Sequence, residues 1–268
     1  MSAPDVRDVQ LERCPHPYGG NALRSLIPPG SQRVLDFGCD DGAFLASLTG
    51  VPELYGCDIN PERVERARAN VPRGKFVVVG ATPETPFEDN FFDAVTLLSV
   101  LEHVPDERAL LAEIHRILKP GGRAIVLVPH KGLFAFADPG NVKFRFPRLH
   151  KLVHLMSSRS SRDEYARRFE GQSKEGTIGC HSNRWHVHYS AGELKALLHD
   201  HFEVERMHGF CLFNHILSSM HTASSLVFRS ARFPVVRMFE KLVHWDFNVQ
   251  PGRASAFIVV AARKRATA

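Results

Sequence analysis

The chain has few cysteines and no long apolar segment. Its five cysteines are scattered, and none stands in a Cys-x-x-Cys pair, so the sequence predicts neither a disulfide framework nor a zinc ribbon. No apolar run approaches the roughly 20 residues that span a bilayer. Residues 1–13 are too charged to form the apolar core of a secretory signal. We therefore predict a cytoplasmic protein.

The sequence also lacks internal repeats, low-complexity tracts and a strong excess of charge. Its 268 residues are 44% hydrophobic and 24% charged, with a formal net charge of +5, and this composition argues against a disordered or fibrous chain. The length suits one α/β domain with large insertions. Basic residues and four aromatic residues crowd between positions 143 and 174. That stretch either faces an anionic partner or forms a solvated helical face.

Short apolar runs alternate with amphipathic segments in the first half of the chain. Strands are predicted at 33–37, 53–57, 76–79, 93–98 and 123–128, and helices begin near residues 44, 60 and 107. We expect the last of these helices to end in the turn Lys119-Pro120-Gly121-Gly122. The strands are almost continuously apolar, which predicts a parallel sheet with helices on both faces. The alternation breaks at 131–190. It returns with a helix at 191–199, a strand at 202–207, helices over 210–250 and a last strand at 256–262.

The ends of the first two predicted strands carry the signature of a nucleoside cofactor. The first strand leads into Asp36-Phe37-Gly38-Cys39-Asp40-Asp41-Gly42, and the second ends in Asp58. Glycines let backbone approach a ligand, and a carboxylate after the second strand can accept hydrogen bonds from ribose hydroxyls. The spacing of these glycines lacks the Gly-x-Gly-x-x-Gly pattern that cradles a pyrophosphate, and two acidic residues in the turn would repel a diphosphate. The turn therefore favours the cationic S-adenosylmethionine over a nicotinamide dinucleotide, which remains a minor alternative.

Four segments together resemble the successive motifs of class I S-adenosylmethionine-dependent methyltransferases, especially the quinone and small-molecule members. They are VLDFGCDDGAFL, YGCDINPERVERAR, TPFEDNFFDAVTLLSVLEHV and LKPGGRAIVLVP. The resemblance implies an α/β, Rossmann-like seven-stranded sheet, parallel with an antiparallel last strand and flanked by helices. Insertions would follow strand 5 and separate strands 6 and 7. A single methyltransferase domain would then comprise an N-terminal cap (1–30), a cofactor-binding half (34–129), an acceptor lid (131–190) and a helical insertion (210–250).

The same resemblance implies a set of cofactor-binding residues at the strand ends: Asp36, Gly38, Cys39, Gly42, Asp58, Ile59, Ala81, Thr82, Leu98 and Ser99. The glycine turn would line the methionine end, Asp58 would bind the ribose, and Leu98 and Ser99 would pass under the sulfonium. Relatives often carry an acidic residue for the adenine amino group where this chain has Ala81 and Thr82. Backbone groups or the Thr82 hydroxyl would then make that contact. The alternative role of Asp58 is a helix N-cap.

Three candidate catalytic residues follow the fourth and fifth predicted strands: His103, His130 and Asp138. Methyl transfer depends mainly on orientation, but a protonated hydroxyl acceptor needs a base within hydrogen-bond reach. Each of the two histidines could equally be structural. Residues 184–190 bring His186 and His188 together without a clear set of carboxylates, so we favour a structural or acceptor-binding role there and predict no metal site.

These features predict O-methylation of a sugar or another small hydroxyl acceptor, which could be lipid-linked. Basic and aromatic residues of the predicted lid suit a sugar on a lipid or phosphate carrier. Amphipathic helices within 210–250 could touch a membrane surface, although such helices also pack as ordinary core. The alternatives are a quinone, polyketide or fatty-acyl methyltransferase, and a non-catalytic cofactor-binding or RNA-binding protein of the same fold. No RNA-reading motif is present, so no specific nucleic-acid partner is predicted, and the oligomeric state is left open.

Overall fold

A seven-stranded mixed sheet forms the centre of the protein. The computed structural model describes residues 20–80, 82–138, 187–228 and 233–265, together with 146, 148, 151 and 152. The strands are β1 Arg33–Phe37, β2 Glu53–Asp58, β3 Gly74–Val78, β4 Phe92–Leu98, β5 Leu118–Pro129, β6 Phe202–Phe210 and β7 Phe257–Lys264. Their spatial order is β3-β2-β1-β4-β5-β7-β6. The first five strands pair in parallel, and β7 runs antiparallel to both neighbours. This topology confirms the predicted fold class.

Helices flank this sheet. They are α1 Gly20–Leu26, α2 Ala43–Ser47, α3 Pro61–Asn70, α4 Glu107–Ile117, α5 Ala191–Leu198, α6 Asn214–Phe228 and α7 Pro234–Asp246, with 3₁₀ turns at Leu101–His103, Ala135–Ala137 and Gly252–Ala254. Local chemistry sets several helix starts. Asn60 caps α3 by accepting from the backbone of Glu62, and Ser190 with Glu193 forms a capping box on α5. None of the helices in the described ranges is long and apolar enough to cross a membrane.

Two buried apolar clusters form the core, one on each face of the sheet. Successive strand residues point to opposite faces, so Leu35 belongs to one cluster and its neighbour Val34 to the other. Tyr55 packs edge-on against Phe92 in the first cluster, with the ring centroids 5.2 Å apart. The strands are therefore buried on both sides, as the continuous apolar runs predicted.

The prediction of a turn at Lys119-Pro120-Gly121-Gly122 was wrong. These residues belong to β5, which begins at Leu118 directly after α4. Leu118 pairs with Phe92, and the register then shifts before Ala94 pairs with Arg123. The glycines and proline thus lie in an irregular first part of a long strand. The remaining strand boundaries differ from the predicted ones by a few residues, and the predicted lid lies largely outside the described residues.

Parallel pairing brings the carboxyl ends of the central strands to one edge of the sheet. Phe37 pairs with Cys57 on β2 and with Leu97 on β4, and Leu98 pairs with Leu127 on β5. The residues that follow these strands must therefore lie close together. This edge is where open α/β sheets bind ligands.

Candidate functional site

The turn after β1 has a backbone conformation that suits glycine. Gly38 and Gly42 have φ angles of +79° and +80°, and Asp40 between them has a φ angle of +46°. A Cβ atom on Gly38 would lie 2.4 Å from Cγ2 of Val100, so a side chain there would collide with the second residue after β4. The N–H groups of Gly38 and Cys39 both donate to the carbonyl oxygen of Cys57, at 2.7 and 2.9 Å. The turn is thereby held against the end of β2.

Asp58 presents an oriented carboxylate at the end of β2. The buried side chain accepts from the Asn60 N–H on Oδ1 at 2.9 Å and from the Asp40 N–H on Oδ2 at 3.1 Å. A carboxylate oxygen has two acceptor positions, so each keeps one for a further donor. The N-cap of α3 is Asn60, so the alternative role of Asp58 as that cap is wrong. Two ribose hydroxyls are ligand groups that this carboxylate could hold.

A second buried carboxylate, Asp36, lies near Asp58. Burial raises the pKa of Asp36 to about 7, the hydrogen bond from Thr96 opposes that rise, and the charge of Asp58 adds to it. The Thr96 hydroxyl donates to Asp36 Oδ1 at 2.6 Å. Asp40 differs from both because it is exposed and pairs with Arg63 at 3.1 Å. Asp36 is therefore only partly ionised at pH 7, and negative charge at this edge centres on Asp58, which suits a ligand with positive charge.

The residue after β4 has strained backbone. Ser99 has a φ angle of +57°, a conformation that is uncommon for residues other than glycine and often marks functional sites. Its N–H donates to the carbonyl oxygen of Leu127 at 3.0 Å, which fixes the strained turn against β5. Ser99 and Gly38 thus form adjacent parts of the same edge.

Glu102 is a buried carboxyl group beside Ser99. It is 2% exposed within the 3₁₀ turn after β4. Burial raises the pKa of Glu102 to about 8 and the charge of Asp138 adds to the rise, whereas hydrogen bonds from its own backbone and from the Ser99 side chain oppose it. Its Oε2 atom has no hydrogen-bond partner among the residues that the structure describes. A carboxyl group in this state is neutral at pH 7 and can donate a hydrogen bond.

Asp138 and His188 form a nearly buried pair next to Glu102. Nε2 of His188 lies 2.9 Å from Oδ2 of Asp138, and the side chains are 8% and 6% exposed. His130, at the end of β5, has Nδ1 2.9 Å from the carbonyl oxygen of Ser255. Burial lowers the pKa of His130, the Ser255 hydrogen bond opposes this, and His188 lowers the pKa further. We call Glu102, His130, Asp138 and His188 the polar cluster.

Aromatic side chains border the polar cluster on the side of the 3₁₀ turn Ala135–Ala137. The rings of Phe134 and Phe213 lie 5.4 Å apart, and Leu133 and Phe136 are 62% and 51% exposed. A ligand that reaches the polar cluster past these residues would contact apolar surface. We call Leu133, Phe134, Phe136 and Phe213 the apolar rim.

Comparison with known proteins agrees with this geometry. Residues 35–126 match the model of a family described as a methyltransferase domain. Demethylmenaquinone methyltransferase from Geobacillus kaustophilus is 31% identical over 166 residues, which are 58% of this chain and 71% of that relative. This chain belongs to the class I S-adenosylmethionine-dependent methyltransferases.

Other relatives of this methyltransferase are matched over shorter parts of their length. Sterol 24-C-methyltransferase erg6 from Schizosaccharomyces pombe is 36% identical over 38% of this chain. The chain spans 28% of the length of that protein, 59% of demethylmenaquinone methyltransferase from Clavibacter sepedonicus and 39% of O-methyltransferase cnsE from Penicillium expansum. The crystal structure of an S-adenosylmethionine-dependent methyltransferase from Mesorhizobium loti shares the fold, with a TM-score of 0.54 and 19% identity over 91% of this chain and 96% of that one. The family match and the fold confirm two predictions: the chain is a class I methyltransferase, and its cofactor is S-adenosylmethionine.

The structure brings most predicted cofactor residues of this methyltransferase to one edge: Asp36, Gly38, Cys39, Gly42, Asp58, Ile59, Leu98 and Ser99. The two residues predicted to contact the adenine, Ala81 and Thr82, are not among them. Ala81 lies outside the described residues, and the exposed Thr82 donates its hydroxyl hydrogen bond to Glu84. The roles of all these residues stay predictions.

Of the three predicted catalytic residues, two lie in the polar cluster and one lies outside it. His130 and Asp138 belong to the polar cluster, whereas His103 ends the 3₁₀ turn and is half-buried. Sequence reasoning missed Glu102 altogether and gave His188 no catalytic role. The position of Glu102 directly before His103 was visible, but the inward direction of its side chain depends on a 3₁₀ turn that hydrophobic periodicity does not reveal.

Proposed function

We propose that this methyltransferase methylates a hydroxyl oxygen of a small acceptor, and the first candidate is a sugar, free or lipid-linked. The observation that carries this proposal is the polar cluster, which lies beside Ser99 at the edge that holds Asp58 and the glycine turn. When bound, S-adenosylmethionine supplies the methyl group and leaves as S-adenosylhomocysteine. The chain must then orient the acceptor oxygen, exclude water and receive one proton.

The cofactor edge suits an adenosyl sulfonium compound. Asp58 keeps one acceptor position on each carboxylate oxygen for the two ribose hydroxyls, and Gly38 has no Cβ atom that would obstruct its close approach to Val100. Asp58, with a partial contribution from Asp36, supplies negative charge toward a cationic ligand. The turn does not favour a diphosphate, because it leads into α2 without the Gly-x-Gly-x-x-Gly pattern.

The polar cluster supplies groups for a hydroxyl acceptor. Proton removal by a histidine requires that the imidazole be oriented, and Asp138 orients His188 through its 2.9 Å contact with Nε2. When the acceptor oxygen forms its new bond to carbon, its proton passes to His188, and Asp138 stabilises the resulting imidazolium. Glu102, neutral at pH 7, would donate a hydrogen bond to an oxygen of the acceptor.

A quinone-type ring acceptor is the second candidate, and the apolar rim favours it. Leu133, Phe136 and Phe213 expose apolar surface beside groups that would bind a polar ring substituent. An aromatic ring with an attached hydrocarbon tail would bury that surface, whereas a plain sugar would leave it exposed. The relative from Geobacillus kaustophilus is itself named for a menaquinone precursor.

Calorimetry with S-adenosylhomocysteine tests the shared part of the proposal. We expect the wild-type chain to bind it and Asp58→Asn to weaken binding by about tenfold or more, because charge-assisted hydrogen bonds to the ribose are lost. Asp93→Asn is the matched control. Asp93 also accepts two backbone N–H groups, from Gln32 and Arg33 at 2.9 and 2.8 Å, but it lies at the opposite end of the sheet. Its affinity should equal that of the wild type.

Two results would overturn the proposal. A folded wild-type chain that does not bind S-adenosylhomocysteine would remove the cofactor assignment. Transfer of labelled methyl groups from S-adenosylmethionine to a panel of free sugars, glycolipids, catechols and alkylated hydroquinones tests the acceptor. Methylated oxygen in a sugar supports the first candidate and methylated oxygen in a hydroquinone supports the second. Products methylated only on nitrogen would refute both candidates, and a ring methylated on carbon would refute transfer to oxygen while supporting the ring acceptor.

A further inference from the structure

Helix α7 exposes a continuous apolar stripe. Met238, Leu242 and Trp245 are 47%, 37% and 56% exposed. Their spacing of four and then three residues places them on one side of the helix. Single exposed apolar residues are ordinary on protein surfaces, but three in a row on one helix face mark an interaction site.

The rest of α7 is anchored to the protein. Val236 and Asp246 are buried, and the Asp246 carboxylate accepts the backbone N–H groups of Leu212 and Phe213 at 3.0 to 3.1 Å. These bonds tie the end of α7 to the start of α6. The apolar stripe is therefore held at a defined position on the surface.

A basic row runs beside the stripe. Arg237 and Lys241 are exposed, lie four residues apart and each directly precede a stripe residue. Neither makes an ion pair within the part of the chain that the structure describes, so their charge is available to an anionic partner. Lysine, arginine and tryptophan beside an apolar face are the composition of helices that lie in a membrane interface.

We infer that α7 docks this protein on an anionic lipid surface, with Met238, Leu242 and Trp245 inserted and Arg237 and Lys241 among the headgroups. A second copy of the chain is a poorer occupant, because a symmetric pairing of two α7 helices would bring their basic rows together. Lipid docking would stand even if the acceptor were water-soluble.

Docking through α7 would also bring the acceptor side near the lipid. The His215 ring, in the first turn of α6, lies 5.7 Å from that of His188 in the polar cluster. The backbone N–H of Phe213, which belongs to the apolar rim, donates a hydrogen bond to the Asp246 carboxylate on α7. If the proposed function holds, the acceptor is then taken from the lipid surface rather than from solution.

Co-sedimentation of the full chain with vesicles tests the inference. We expect binding to vesicles that contain phosphatidylglycerol, weakening with added salt, and little binding to pure phosphatidylcholine. Combined serine substitution of Met238, Leu242 and Trp245 should weaken binding by about tenfold or more. The pair Arg237→Gln and Lys241→Gln should weaken it by about tenfold.

Controls separate this result from misfolding and from failure of the proposed function. Val78→Ser removes an apolar side chain that is 48% exposed on β3 and should leave vesicle binding unchanged. The melting temperature of each variant is also measured with and without S-adenosylhomocysteine. A rise in melting temperature equal to that of the wild type shows that the fold persists. Vesicle binding and cofactor binding are read separately, so either can fail alone.

Tryptophan fluorescence gives a second, direct measurement. The chain has two tryptophans, so Trp185→Phe leaves Trp245 as the single reporter. Its emission should shift to the blue when phosphatidylglycerol vesicles are added. Three outcomes would overturn the inference: no wild-type sedimentation with either vesicle, undiminished binding of the serine variant, or a dimer that the serine variant converts to monomer.

Discussion

Replacing Gly38 by alanine should destabilise the protein for two separable reasons. The φ angle of +79° is unfavourable for a residue with a Cβ atom, at a cost of about 1–2 kcal/mol. The new Cβ atom would also lie 2.4 Å from Cγ2 of Val100, and overpacking of this kind costs about 1–3 kcal/mol. The expected loss in the free energy of unfolding is therefore about 2–5 kcal/mol.

Gly50→Ala separates the two contributions. Gly50 has a φ angle of +84°, but a Cβ atom there would have nothing within 4 Å. This variant should lose only the backbone part, about 1–2 kcal/mol. The difference between the two variants, measured by urea unfolding monitored with circular dichroism, then reports the collision with Val100.

A double-mutant cycle with Val100→Ala completes the test. Shortening Val100 removes Cγ2, so Gly38→Ala should cost less in the Val100→Ala background than in the wild type. The Gly38→Ala variant should also bind S-adenosylhomocysteine more weakly, because the turn has to move. Equal stability of the Gly38 and Gly50 variants, or a cycle with no coupling, would refute the close approach of these two strand ends.

Three further outcomes follow from the polar cluster and its support. Folded Glu102 keeps its proton up to about pH 8, whereas an unfolded glutamate loses it near pH 4.5. The free energy of unfolding should therefore fall as the pH rises from about 4.5 to about 8. Urea titrations at several pH values should show that Glu102→Gln removes this dependence. Asp138→Asn should lower the rate of methyl transfer by about 10²–10⁴ with the affinity for S-adenosylhomocysteine unchanged, and an equal loss of both would place Asp138 with the cofactor instead of His188. Gly132→Ala would set a Cβ atom 1.8 Å from the backbone oxygen of Ser255, so thermal unfolding should show a loss of about 1–3 kcal/mol or more; an unchanged melting temperature would mean that this backbone yields.

The cofactor edge could be predicted because its residues are close in sequence. The glycine turn and Asp58 belong to one strand-helix-strand unit, in which parallel pairing alone sets their proximity. What could not be read was the state of the charges. Asp40 was expected to contribute to a repulsive turn, yet it pairs with Arg63 on α3, a contact that depends on how the helix packs.

The acceptor side was less predictable because its groups come from distant segments. Asp138 and His188 are 50 positions apart, and Glu102 comes from the turn after β4. No local pattern links such residues, since their contact depends on tertiary packing rather than on periodicity. The predicted start of β5 was wrong for a related reason. Proline and glycine after α4 normally end a helix in a turn, whereas pairing of Leu118 with Phe92 extends the strand.

The position of β7 constrains the order in which the protein can be completed during synthesis. This strand follows β1 to β6 along the chain, yet it lies between β5 and β6 and pairs with both. Strands β1 to β5 can assemble on a nascent chain, but β6 has no partner in the sheet until β7 emerges. The part of the sheet that carries the glycine turn and Asp58 can therefore form first, and the part that contains β6 closes only after β7 has been synthesised.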